Sequence, residues 1–517
     1  MHVFLEMPNH ADPAYCARIM YAFRLFCAIY GHVPIVEPAC GPAPDVVLSY
    51  RRSSQQTGRS KRPAVFLSRG YNARHFRKPA PAPHRYAHES IDTVVHYEPI
   101  GADAPDWLGE IFEWVSCADE YSVTDRDTAG RPRYSATYMG RHGLNAGVPY
   151  AAVAMRCLQR EICRVVPRTT EGPDSPRDGA HFVIPSHDVD YFPAGRFRAA
   201  NRLIRNAAMS LLMAKQPALG LRQLSMAAKA VTWDGYDPLD RISALVDEEL
   251  RRGISASFNF LVRHGHRLDA HYTLGHSAVE ETIRWLESKG MEVGIHTSYL
   301  CLDTPNGLAL ELARFHKRGL FPCGGRQHWL RYTMDRLIPA VERAGLAYDT
   351  SIGWSERAGF RAGACFTFPP YNFAQERAST FLEFPLVMMD QALQMRWNAR
   401  ERMFEEASGL LAASRRLGWG GISVLWHPAA FGEGWLPSVV GDIFWSLADR
   451  RAEWGDVWTK ARDFHELARQ RFVDVGLLPA CAPSPTTEID IEEYIGAMDE
   501  LNGENESRSL PDCRMAL

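Results

Sequence analysis

His181-Phe182-Val183-Ile184-Pro185-Ser186-His187-Asp188-Val189-Asp190 is the stretch from which the rest of the chain is read. An apolar run rich in β-forming residues stops abruptly in a polar tip with two carboxylates and an imidazole, the pattern of a buried strand delivering reactive groups to a sheet edge. In parallel α/β folds chemistry gathers at the carboxyl ends of strands, where side chains are fixed by the sheet yet face an open crevice. Asp188 and Asp190 are two apart and share a face if the extended geometry reaches the tip. Neighbouring carboxylates repel unless a cation lies between them or one takes a proton. The pair therefore reads as a metal site beside a general base, or equally as a helix N-cap or Asx-turn.

Downstream, strand and helix alternate. The spacing predicts helices over 238–252, 278–289, around 307–318, 334–344 and 398–416, the second opened by a Ser277-x-x-Glu280 capping box. Strands are predicted at 257–262, 290–296, 324–328, 347–351, 381–387 and 422–427. With the opening stretch, seven strand tips fall between 181 and 428, the pattern of an incomplete (β/α)7 barrel. Upstream, short strands at 2–7, 33–37, 45–50, 63–68 and 93–98 alternate with helices at 15–26, 106–116 and 149–165, which predicts a smaller α/β domain over 1–166. It has no phosphate-binding glycine loop and reads as a scaffold or a substrate-side cap. Residues 167–179, rich in Pro, Gly, Asp and Ser, read as a linker to a domain over 180–475. From 481 to 517 the chain is Pro- and Ser-rich, then acidic and poor in aromatics, and reads as a disordered tail. In 195–232 arginines and lysines interleave with Leu and Met. Such a stripe is more often a solvated face over a local core, but it would also suit peripheral contact with anionic lipid or a phosphorylated glycan.

At 517 residues, two domains plus tails is the natural expectation. A net charge of -3 and a pI of about 6.7 give no electrostatic case for a nucleic-acid partner. The 11 cysteines are odd in number and contain no C-x-x-C pair, as expected of reduced thiols in a cytoplasmic chain. No basic and apolar leader opens the sequence, and no apolar run approaches the ~18 residues of a membrane span, so a soluble, unexported protein is expected.

Several predicted tips end in reactive side chains: His296, Arg326 and His328, Asp349, and His427. A single histidine after a strand is more often structural, and the recurrence at successive tips is what points to a shared crevice. The order Ser186-His187-Asp188-Val189-Asp190, Gly290-x-Glu292-Val293-Gly294-x-His296-x-Ser298, Arg326-x-x-Trp329 and Leu425-Trp426-His427 resembles the polysaccharide deacetylases of the carbohydrate esterase 4 group. It is most similar to the bacterial branch with an H-D-V-D first motif, an R-Q-H third motif and an extra N-terminal domain. The resemblance covers about 180–465. It implies that Asp188 is the general base, that Asp190 and His296 bind a metal, that Arg326 orients the base, and that His427 is the general acid.

The family's second motif usually has another histidine four residues after the first, and here that position is Leu300. His328 is the best candidate to complete the set, ahead of His187, His264, His266 and His271. A mixed set of one carboxylate and two imidazoles points to a divalent ion, zinc above others. Tyr299, Trp329 and Trp354 would stack on sugar rings or belong to the core. Gly359-Phe360-Arg361-Ala362-Gly363 suggests a loop that presents Arg361 to a carboxylate or phosphate of the substrate, or a plain surface turn. The expected function is metal-dependent removal of acetyl groups from an amino sugar or acylated saccharide. The alternatives are a metal-free C–N amide hydrolase on the same barrel and a catalytically silent glycan-binding or assembly protein.

Overall fold

The computed structural model describes residues 1–7, 11–36, 43–50, 63–68, 82–88, 91–97, 103–166, 180–192, 196–212, 217–232, 241–432 and 439–481. The expected linker 167–179 and nearly all of the expected tail 481–517 lie outside the described residues.

The chain opens with β1 (His2–Glu6), a helix over Pro13–Tyr30, β2 (Val33–Ile35), β3 (Val46–Ser49) and β4 (Ala64–Phe66). The four strands form a parallel sheet in the order β2-β1-β3-β4. The helix starts where Asp12 accepts hydrogen bonds from the Ala14 and Tyr15 amides, with Pro13 in its first turn, and stops at Gly31 in the left-handed conformation. The strand expected at 93–98 is instead part of a separate antiparallel hairpin, β5 (His84–His88) with β6 (Ile91–Val95). Helices over Trp107–Val115 and Tyr150–Val165 close this part of the chain.

The second sheet carries the candidate site residues. Its strands are β7 (His181–Val189), β8 (Ser257–Leu261), β9 (Glu292–His296), β10 (Gly324–Arg326) and β11 (Tyr348–Asp349). A short hairpin of β12 (Tyr371–Asn372) and β13 (Arg377–Ala378) follows, then β14 (Leu382–Glu383), β15 (Leu386–Met389), β16 (Gly420–Leu425) and β17 (Asp456–Trp458). The order is β14-β11-β10-β9-β8-β7-β16-β15, with every pairing parallel and β17 beside the start of β7. The two ends of this order, β14 and β15, are separated along the chain only by Phe384 and Pro385. The sheet therefore curls back on itself, consistent with an incomplete barrel.

β7 is central and buried along nearly its whole length, which explains its continuous apolar run. Pro185 sits where one edge of β7 changes partner, from β17 at His181–Val183 to β8 at Ser186–Val189, a junction at which a missing N–H costs least. The helix expected at 278–289 runs over Ser277–Ser288, but its capping box is not formed. Its cap is His276, without a side-chain bond, while Glu280 pairs with Arg284 and Arg318.

The basic region forms two helices, Arg196–Leu212 and Pro217–Thr232, packed on each other through Ala199, Ala200, Leu203, Met226, Ala227 and Ala230. That cluster is separate from the main core, which extends from Val3 to Leu478. No helix among the described residues is long and apolar enough to cross a membrane.

Candidate metal centre

Adjacent strand ends bring Asp188, Asp190, His296, Arg326, His328 and His427 together. β7 carries Asp188 and leads into Asp190, and the imidazole of His296, at the end of β9, meets both: Nε2 lies 3.3 Å from Asp190 Oδ1 and 3.7 Å from Asp188 Oδ2. The two carboxylates thus share a face. His328, directly after β10, places Nε2 3.5 Å from Asp190 Oδ1, and His427, after β16, places Nε2 3.4 Å from Asp190 Oδ2. Three imidazole nitrogens converge on one carboxylate.

Each ring is aimed by a partner on its far nitrogen. His296 Nδ1 lies 3.0 Å from the Arg326 carbonyl, which can only accept, so Nδ1 holds the proton and a neutral ring keeps its Nε2 lone pair toward Asp190. His328 Nδ1 lies 3.2 Å from Asp269 Oδ1, a carboxylate–imidazole pair of the kind that orients metal-binding histidines. Asp269 is itself fixed by the amides of Gly265 and Tyr299. His427 Nδ1 lies 2.9 Å from Asp390 Oδ1, and the His427 amide donates to Asp390 Oδ2 at 2.9 Å.

Asp188 is held differently. Its Oδ1 accepts from Arg326 Nη1 at 3.0 Å and from Asn259 Nδ2 at 2.8 Å, leaving Oδ2 turned toward His296. Arg326 spends its other donors on the Thr350 carbonyl and the Ser186 and Ser423 hydroxyls, so the guanidinium has a single orientation. Burial alone would raise the Asp188 carboxyl, but Arg326, His296 and His427 outweigh it and hold it below the ordinary carboxylate range. Burial would likewise raise Asp190, and His328, His296 and His427 drive it well below. For His427 burial acts downward, and Asp390 followed by Asp190 pushes the ring well above the usual histidine range.

Among the described residues, Asp190, His296 and His328 form the one group of three that could hold a metal ion, with donor atoms within 4.8 Å of one another. Asp190 Oδ1 is buried, yet no hydrogen bond of proper geometry reaches it. A buried carboxylate oxygen that faces two imidazole nitrogens without a hydrogen bond of proper geometry is what a cation would satisfy, so these residues fit a divalent ion.

No protein-family model and no curated protein matches this chain. Among solved structures, one from Mycobacterium smegmatis, named only provisionally as a polysaccharide deacetylase, aligns with it at a TM-score of 0.36 and 16% identity, covering 62% of this chain and 99% of that one. At that likeness it carries no argument about fold or chemistry.

The remaining expected site residues are distributed unevenly. Trp329, in the left-handed conformation, and Tyr299 are half-buried next to His328, with ring centroids 6.2 Å apart. Tyr299 already carries His266, stacked at 4.6 Å, and the Arg331 guanidinium 4.7 Å from its centroid, which leaves little of its face for a sugar. Trp354 is buried under Arg361. Arg361 is a correction: it is buried, not presented at a crevice, and its Nε and Nη2 donate to Glu120 at 2.8 and 2.6 Å while Nη1 donates to the Gly353 carbonyl. The two glycines do shape the loop, but for close packing, since a Cβ on Gly359 would stand 2.7 Å from the Ala146 carbonyl oxygen.

Asp269, Asp390 and Asn259 escape the sequence reading. Asp390 follows the apolar Leu386–Met389 and had the same signal as the other tips, a carboxylate directly after a buried strand. Asp269 had none, because it sits in the loop after β8, 59 residues from the histidine it orients.

Proposed function

We propose that this chain is a metal-dependent hydrolase that removes acetyl groups from an amino sugar or acylated saccharide. The observation that carries the reading is the convergence of three imidazoles on Asp190, beside an arginine-held Asp188, at one set of strand ends. Asp190, His296 and His328 would hold the ion, and zinc suits one carboxylate with two imidazoles. When bound, such an ion supplies an acidified water and polarises the acyl carbonyl.

The chain's own groups supply the proton traffic. Asp188, ionised by Arg326, accepts the proton of the attacking water through Oδ2, the oxygen not engaged by Arg326 and Asn259. As the water oxygen bonds to the acetyl carbon and the C–N or C–O bond breaks, protonated His427 donates to the departing nitrogen or oxygen. Asp390 stabilises that imidazolium before transfer and keeps Nε2 directed toward Asp190. Arg326 stays with Asp188 throughout, positioning the base without meeting the substrate.

The test measures metal per chain and acetate released from N-acetylated oligosaccharides by wild type, Asp188→Asn, His328→Ala and Leu300→His. Wild type is expected to hold about one ion and release acetate, Asp188→Asn to keep the ion and lose turnover by at least roughly 100-fold, and His328→Ala to lose the ion. A wild type that binds no added zinc while Leu300→His acquires it would sink the metal reading. If His328→Ala keeps the wild-type ion, another group is the third ligand.

A further inference from the structure

We propose that the helical hairpin formed by Arg196–Leu212 and Pro217–Thr232 is a docking surface for the anionic face of a lipid bilayer. Each helix carries two apolar stripes where a helix folded only onto its own protein needs one. The first stripe of each makes the small internal core of alanines, Leu203 and Met226. The second faces outward. In the first helix it runs Phe197, Ile204, Ala208, Leu211, with the polar Asn201 at the remaining step, and in the second Pro217, Leu221, Leu224, Ala228, Val231. Both follow a 4-3-4-3 spacing, which keeps a stripe on one side of a helix. Ile204 is 50% exposed, Leu221 63% and Leu212 79%. Of the fourteen large apolar side chains strongly exposed among the described residues, seven lie on this hairpin. So dense an exposed apolar surface marks a binding face.

Charge decides what the face fits. Between Asp190 and Asp234 the sequence has seven arginines and lysines and no carboxylate. In the first helix Arg205 lies about 80° round from Phe197, and in the second Lys229 lies at a similar angle from Leu221, so positive charge borders each stripe. A second copy of the chain would bring two such cationic faces together and be repelled. A bilayer bearing anionic headgroups accepts both features at once, taking the apolar stripe into the acyl boundary and the basic side chains at the headgroups. In the sequence the hairpin begins at Arg196, shortly after Asp190 and the β7 tip.

The experiment is sedimentation of the full chain with vesicles of phosphatidylcholine alone and of phosphatidylcholine with phosphatidylglycerol. Binding is expected only to the anionic vesicles and should weaken as salt rises. Arg205→Gln with Lys229→Gln should weaken it about fivefold per charge removed, and Ile204→Ser with Leu221→Ser should also release the protein. Hydrogen exchange on unaltered wild type supplies the check that needs no variant: anionic vesicles should protect amides in 196–212 and 217–232 above all. Equal binding to both vesicle types, protection elsewhere but not in the hairpin, or a soluble dimer that Ile204→Ser with Leu221→Ser dissociates while vesicles stay unbound would each overturn the proposal.

Discussion

At the scale of single residues, the centre is governed by what stands behind each reactive group. His427 must carry a proton to act as an acid, and Asp188 must be without one to act as a base. His427 is raised, so its useful form persists above the ordinary histidine range and is lost only as pH rises through that raised value. Asp188 is lowered, so its useful form is lost only as pH falls through the depressed value. A broad plateau of activity between the two limbs is expected. Asp390→Asn removes the carboxylate chiefly responsible for raising His427, and the alkaline limb of the kcat profile should move toward lower pH while the acid limb stays. An alkaline limb that does not move would mean that another group donates the proton. The groups that converge on Asp190 were legible in the sequence because they recur at the ends of successive predicted strands. Asp269 and Asn259 were not, since what they hold is fixed by contact between loop and strand and leaves no periodic trace.

At the scale of elements, the alternation of strand and helix was legible because buried parallel strands read as apolar runs between helical periods, and the helix at Met334–Ala344 falls where its spacing places it. Seven strands were expected where the described sheet has nine: the run expected at 381–387 is divided between β14 and β15, and β17 was not expected. What the period does not reveal is clearance between strands. Gly294 in β9 lies beside Asn259 in β8, and a Cβ there would stand 2.2 Å from the Asn259 Oδ1 and 3.1 Å from the Gly324 carbonyl oxygen. The asparagine is a side chain and gives way before the backbone does, so Gly294→Ala should push it off Asp188. The expected result is a fall in kcat of roughly 10- to 100-fold from a misplaced base, with a stability loss of about 1–3 kcal/mol from overpacking. Bound metal per chain should not change, because Asn259 touches the base and none of the three candidate ligands. Turnover equal to wild type in the alanine variant would show that the Asn259 contact does not position Asp188.

At the scale of the whole molecule, the proposed division into 1–166 and 180–475 meets a packed boundary. Tyr21 Oη donates to the Pro369 carbonyl at 2.7 Å, Arg18 pairs with Glu376, and Arg361 is buried against Glu120. Sequence composition marks 167–179 as the place to cut, but a buried ion pair between distant residues leaves no mark in composition, which is why Arg361 reads from sequence as a substrate contact. The pair allows the division to be tested. A protease is expected to cut within 167–179 and remove much of 481–517, while the two large fragments stay together on a sizing column, held by the buried contacts. Glu120→Ala leaves the Arg361 guanidinium buried without its carboxylate, which costs about 3–5 kcal/mol, so this variant should unfold at lower urea and its cleaved fragments should separate. Replacing the pair by Glu120→Leu with Arg361→Met should restore most of that loss, because an apolar pair has no charge to leave uncompensated. Cutting inside 281–330 with 167–179 protected would contradict the division. Cleaved wild-type fragments that part as readily as those of Glu120→Ala would show that the ion pair does not hold the two parts together.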